Sequence, residues 1–281
     1  MSFILLIFIA AFGLVMGSFF NVVIARLPKM MEFQFRKQCS EYLNLPFDTS
    51  EKTFNLAVPR SHCPHCKKAL KILQNIPLFS FFWLKGSCAF CHQSISWQYP
   101  IVEFLTALLF CAVVGHYGLT ITSVYALVFT SILIILAFVD LKTLLLPDEL
   151  TLSLLWLGLY INVQHTFTSL QDAVIGALVG YLFLWCVAFA FKKIRHKDGL
   201  GHGDFKMLAA LGAWFGLETM LIVLLLSVCI SLVTSLALLA IRKISTQQLI
   251  PFGPFLAIAG WVALLWQAEL QQLFIHLFWI H

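Results

Sequence analysis

Eight stretches of this chain are apolar enough to bear on a bilayer, and that limits the fold more than any other feature. A crossing helix needs about 20 apolar residues. Phe3–Ala25 is uncharged and long enough. Further runs cover roughly 99–116, 121–139, 149–164, 171–191, 205–217, 219–241 and 252–267, with those after Pro147 and after Asp204 rather short. Charged residues make up only 11% of the 281 residues, against about 25% in soluble domains. The chain therefore reads as an all-α polytopic membrane protein of about eight transmembrane helices. The first run lacks a basic leader and a small-x-small cleavage signal, so it reads as a retained helix.

The basic residues orient it. Of 18 Lys and Arg, ten lie within 26–85, one is Lys142, five lie within 192–206, and the last two are Arg242 and Lys243. With eight crossings all of them fall on one side. The opposite connections, near 116–121, 164–171 and 217–220, hold none. Basic loops stay cytosolic, so both termini are expected to face outward. Positive charge placed this way is a topology signal with weak attraction to anionic lipid. A pI of about 8.8 then calls for no nucleic-acid partner.

The one extended soluble segment, about 26–98, is short enough to need a staple. "CPHC" at 63–66 and "CAFC" at 88–91 supply one, as C-x2-C-x21-C-x2-C. Each knuckle offers two thiolates from one tight turn, and the intervening loop lets the pairs converge on tetrahedral zinc. Disulfides are disfavoured in a reducing cytosol; a reduced, metal-free state is the other alternative. Four sulfur ligands, Cys63, Cys66, Cys88 and Cys91, would close the site and make it structural. His62, His65 and His92 read as neighbours of the knuckles. Cys111, Cys186 and Cys229 read as small core residues of apolar spans.

Acidic residues near spans are functional candidates. Asp148 and Glu149 follow Pro147, an ordinary helix start. Glu103, after Pro100, reads as a helix start or a site residue, Asp172 as a further helix cap, and Asp198 as a solvated residue of a charged loop. Asp140 is different: it ends a span, where the helix dipole disfavours negative charge. Asp204 lies in "GLGHGDFK", behind Gly199, Gly201 and Gly203. The glycines permit positive φ and the close approach of another backbone, as of a bound peptide. With Asp140 ending an inward span and Asp204 starting an outward one, both lie at the cytosolic boundary. Two such carboxylates can share a proton, giving one acid and one base, which titrate as a unit. There is no H-E-x-x-H and no G-x-S-x-G.

Taken together, the chain resembles the bacterial type IV prepilin peptidases, the leader peptidase/N-methyltransferases grouped with presenilin among Gly-x-Gly-Asp membrane aspartyl proteases. The likeness rests on "GSFFNVVIARLPKMME" (17–32), the knuckles, "WQYPIVE" (97–103), "VDLKTLLLPDELTLSLLWLGL" (139–159), "GHGDFKMLAALGAW" (201–214) and "PFGPFLAIAGW" (251–261). It implies that Asp140, the first of a D-x7-D stretch, and Asp204 are catalytic, with Gly201, Gly203 and Lys206 as motif residues. It implies substrates, type IV prepilins and type II secretion pseudopilins, cut after a Gly that ends a basic leader. It also implies methylation of the new N-terminus from S-adenosylmethionine. The location would be the bacterial inner membrane, with both termini periplasmic. The expected division is helix 1 in 1–25, a cytosolic zinc-binding, methyltransferase-associated domain in 26–98, and a seven-helix protease domain in 99–281. No dinucleotide-type motif locates methyl transfer. The resemblance alone supplies that activity, near Arg26-Leu27-Pro28, with neither Glu32 nor Gly86 assigned. Two other readings stand beside it: a transporter or channel with an acidic ion path, and a scaffold whose zinc domain binds a partner.

Overall fold

The computed structural model describes residues 3–46, 55–63, 65–196, 199, 201–241 and 250–278. Asp198, Arg242, Lys243 and Trp279 lie outside them. The described residues are helical throughout, apart from turns and two isolated β-bridges. They form two compact units, Met1–Leu119 and Thr120–His281.

In the first unit, α1 (Phe3–Tyr42) continues well past Ala25 and packs against α3 (Gln98–Tyr117). Buried Asn21 of α1 donates through Nδ2 to the Tyr99 carbonyl at 3.0 Å. Between these helices lie a 3-10 turn (Ile72–Asn75) and the short α2 (Phe79–Trp83). Arg26, also buried, donates to the Asn55 and Leu56 carbonyls at 2.9 and 3.1 Å, and to that of Pro59. This ties the chain leading into the first knuckle to α1.

The second unit contains α4 (Ile121–Thr143), α5 (Asp148–Asn162), α6 (Leu170–Arg195), α7 (His202–Ala240) and α8 (Gly253–Phe278). Its core is aromatic. Trp214 is fully buried between Phe129 and Phe167 and donates through Nε1 to the Leu154 carbonyl at 2.8 Å.

The expected count of about eight spans is not confirmed. Among the described residues, six helices are long and apolar enough to cross: α1, α3, α4, α6, α7 and α8. The run 149–164 forms α5, whose 15 residues at about 1.5 Å each fall short of a hydrocarbon core of about 30 Å. The runs 205–217 and 219–241 belong to one helical stretch of 39 residues, broken where Gly216 takes φ 80° and ψ 178°. Such a break frees backbone groups, and in a buried place they need partners. Asn162 Nδ2 donates to the Ala213 and Trp214 carbonyls at 2.8 and 2.9 Å. Gln267 Nε2 reaches the Phe215 carbonyl and Thr219 Oγ1. Glycine is required at 216 twice over: for its φ, and because a Cβ would collide with the Asp172 carboxylate.

Candidate active site and metal centre

Asp140 lies in the last turn of α4, which closes on Leu144 in the left-handed region (φ 56°). Its own helix end presents carbonyls, so the carboxylate needs a donor from elsewhere. The Gly253 N–H provides it, donating to Asp140 Oδ2 at 3.0 Å in a buried setting. Gly253 is the first residue of α8, so this is one of the N–H groups that a helix start leaves without an internal partner. Asp204 is the third residue of α7. With Gly201 as N-cap, Asp204 occupies the position from which a carboxylate reaches back to the cap residue's N–H. The Asp204 N–H donates to the Gly201 carbonyl at 3.2 Å, the Asp204 carboxylate lies beside Gly201, and the Asp140 carboxylate lies within electrostatic reach of it. Each acid is thus held at a helix N-terminus, Asp140 at that of α8 and Asp204 at that of α7. Asp140 is 5% exposed and Asp204 8%.

The positive φ expected of the glycines is not used. None of Gly199, Gly201 and Gly203 takes a positive φ. What Gly203 permits is close packing within the chain: a Cβ there would stand 2.6 Å from Leu146 Cβ. A Cβ at Gly253 would meet Asp140 Oδ2 at 2.7 Å and Leu146 Cδ2 at 3.1 Å. Leu146 therefore wedges between the starts of α7 and α8, beside Asp140. Sequence reasoning missed both Leu146 and the Gly253 N–H. The first is one leucine in a run of three, and the second is a backbone group that every residue carries.

The four cysteines converge. The sulfurs of Cys63, Cys66, Cys88 and Cys91 all lie within 4.8 Å of one another. Tetrahedral zinc with Zn–S of about 2.3 Å sets sulfurs about 3.8 Å apart; Cys63 and Cys91 Sγ are 3.8 Å apart. The donor set fits such a metal. The two knuckles share one backbone plan. Each is followed by a residue of positive φ, Lys67 (56°) and His92 (55°), whose N–H donates to the carbonyl of its knuckle's first cysteine at 2.9 Å. An isolated bridge closes each turn, His62 with Ala69 and Ser87 with Ser94. Backbone N–H groups of Cys91 and Phe90 point at the Cys88 thiol and pull its pKa down to about 6. None of the neighbouring histidines joins the cluster.

Family models extend these observations over the chain. The bacterial peptidase A24 N-terminal domain matches residues 11–117, and the type IV leader peptidase family matches 127–236. The chain is also 50% identical over 257 residues to an Aeromonas hydrophila protein named prepilin leader peptidase/N-methyltransferase, covering 91% of this chain and 88% of that one.

This chain belongs to the type IV leader peptidase family.

Proteins of the same name from Pseudomonas aeruginosa and Neisseria gonorrhoeae are 43% and 42% identical, covering 94% and 90% of this chain and 91% and 87% of their own lengths. No solved structure matches. Lys206 ion-pairs with Asp148, its Nζ 2.6 Å from both carboxyl oxygens. It thus ties α7 to the first residue of α5, and Asp148 is committed to that pair. Glu103 is buried and accepts from the Leu78 N–H at 2.8 Å. Asp172 is not the cap of α6. Ser169 is, accepting from the Asp172 N–H at 3.1 Å, while the Asp172 carboxylate accepts from Thr168 Oγ1. Cys186 and Cys229 are exposed on their helices, not core residues. Glu32 pairs with Arg36 one turn along α1, and Gly86 makes a turn of positive φ before Cys88.

Proposed function

We propose that this chain removes the leader from type IV prepilins and pseudopilins at Asp140 and Asp204, cutting after the leader's terminal Gly, and methylates the new N-terminus. The observation that supports this is a pair of buried carboxylates at separate helix ends, within electrostatic reach of each other. One member accepts a proton from a water whose oxygen attacks the scissile carbonyl carbon; the other donates a proton to the amide nitrogen as the C–N bond breaks. The Gly253 N–H orients Asp140 through Oδ2, and the start of α7 orients Asp204. Burial keeps bulk water from competing for either carboxylate. Gly201, Gly203 and Lys206 support the pair, Lys206 by fixing the start of α5 against α7.

The topology that suits this chemistry places 26–98 in the cytosol, both termini in the periplasm and the cut at the inner face of the bacterial inner membrane. The division is then 1–25 as the first transmembrane helix, 26–98 as the metal-binding domain associated with methyl transfer, and 99–281 as the protease. Cys63, Cys66, Cys88 and Cys91 would hold zinc as a structural staple. S-adenosylmethionine would supply an electrophilic methyl group. An ion-path reading fits less well, because transport sites favour the membrane midplane and these acids sit at helix ends.

The test is cleavage of a purified prepilin in detergent by wild type, Asp140→Asn, Asp148→Asn and Asp204→Asn. The 140 and 204 variants should lose cleavage while remaining folded, and the 148 variant should retain it. Cleavage by all three would remove the aspartyl mechanism; a dead 148 with an active 140 would move the pair to Asp148 and Asp204.

A further inference from the structure

The chain between the two knuckles carries apolar side chains that the metal module does not bury. Leu73 is 75% exposed, Phe79 55%, Phe82 64% and Trp83 74%. An exposed aromatic patch on a polar module marks an interaction surface. Its depth is fixed by one hydrogen bond. The Leu78 N–H donates to Glu103, and Glu103 lies in the second turn of α3, a helix apolar enough to cross the membrane. Leu78, itself at φ 56°, and the α2 aromatics that follow are therefore held level with the first turns of α3. Phe81 packs its ring on Trp97, one residue before that helix, at 5.0 Å. Charge points the same way. The chain has no Asp or Glu between Glu51 and Glu103, and Lys71 and Lys85 bracket the apolar stretch.

We propose that Leu73–Trp83 is an interfacial anchor, lying among the lipid headgroups and seating the four-cysteine module on an anionic membrane surface. Aromatic side chains with one apolar and one wet side belong at that level, and lysines flanking them gain from anionic lipid. The anchor would hold the module at a fixed height, where the apolar part of a membrane-embedded substrate emerges. A cleft of about 920 Å³ lined by Phe82, Lys85, Ser96 and Trp97, among others, adjoins the patch. A methyl donor seated there is the competing occupant.

The experiment is hydroxyl-radical footprinting of the whole protein in nanodiscs of phosphatidylethanolamine and phosphatidylglycerol, read by mass spectrometry. Tyr42, 87% exposed at the end of α1, serves as the solvent reference. Each oxidation rate is normalised to that of the denatured chain. Phe79, Phe82 and Trp83 should be oxidised at least tenfold more slowly than Tyr42. A photoreactive benzophenone side chain at position 83 should crosslink to phospholipid. Oxidation of Trp83 at the rate of Tyr42 would overturn the proposal. So would protection that appears only on adding S-adenosylmethionine, which would assign the patch to the methyl donor, or only at high protein-to-lipid ratio, which would assign it to a second copy.

Discussion

Gly253→Ala is the sharpest probe of the carboxylate pair, because it changes neither acid. The added Cβ would stand 2.7 Å from Asp140 Oδ2, where ordinary contact begins near 3.4 Å, so the carboxylate must retreat by about 0.7 Å. Leu146 Cδ2, at 3.1 Å, blocks part of the room for that retreat. The helix itself should not suffer, since alanine is the better helix former. A displacement approaching 1 Å at reacting groups costs about 10²-fold. The expected loss in kcat is therefore about 10- to 100-fold, or about 1.4–2.7 kcal/mol of transition-state stabilisation. The assay is steady-state cleavage of a prepilin, with thermal melting and metal content measured on the same preparation. KM should hold, because the substitution touches the acid and not the substrate's bound length. Methylation of a pilin already bearing its mature N-terminus should also hold. A folded Gly253→Ala protein that cleaves with wild-type kcat would refute the claim that this backbone N–H positions Asp140.

Three further outcomes follow from the same geometry. Gly216→Ala places a side chain at φ 80° and against Asp172; backbone strain alone costs about 1–3 kcal/mol, so the melting temperature should fall by several degrees, and an unchanged melt would contradict the break as described. Lys206→Met removes the ion pair with Asp148, whose carboxylate side is half exposed; such pairs contribute below about 1 kcal/mol, so cleavage should stay within about twofold, and a dead enzyme would give Lys206 a direct role. In metal-stripped protein the Cys88 thiol, with its pKa pulled down to about 6, is a thiolate above that pH and a thiol below it. Its alkylation by a small reagent should therefore be half-maximal near that pH, and an onset above pH 8 would contradict the backbone N–H contacts.

What the sequence made legible was chemistry carried by side chains at fixed spacings. The paired C-x2-C knuckles announced a four-sulfur cluster, and the sulfurs do meet. Asp140 stood out as an acid at the wrong end of a helix, and it lies buried within electrostatic reach of Asp204. The boundary read near 217 also had a physical origin, since Gly216 breaks α7 there. What stayed hidden was carried by backbone and by distant partners. The donor to Asp140 is an amide N–H more than a hundred residues away, and no residue type advertises it. The glycines before Asp204 suggested freedom of φ, whereas Gly203 is used for the absence of its side chain against Leu146. Asp172 looked like a cap, but its carboxylate lies against the helix break.

Leu146 fills the space that two glycines vacate, and so three positions far apart in the chain form one steric unit. Substitutions among them will not be independent. A larger residue at 203 or 253 needs a smaller one at 146, and a bulkier residue at 146 has nowhere to go. Libraries that randomise these positions one at a time should return mostly inactive enzyme. Joint randomisation should recover function in compensated combinations, whose summed side-chain volume stays near that of a single leucine.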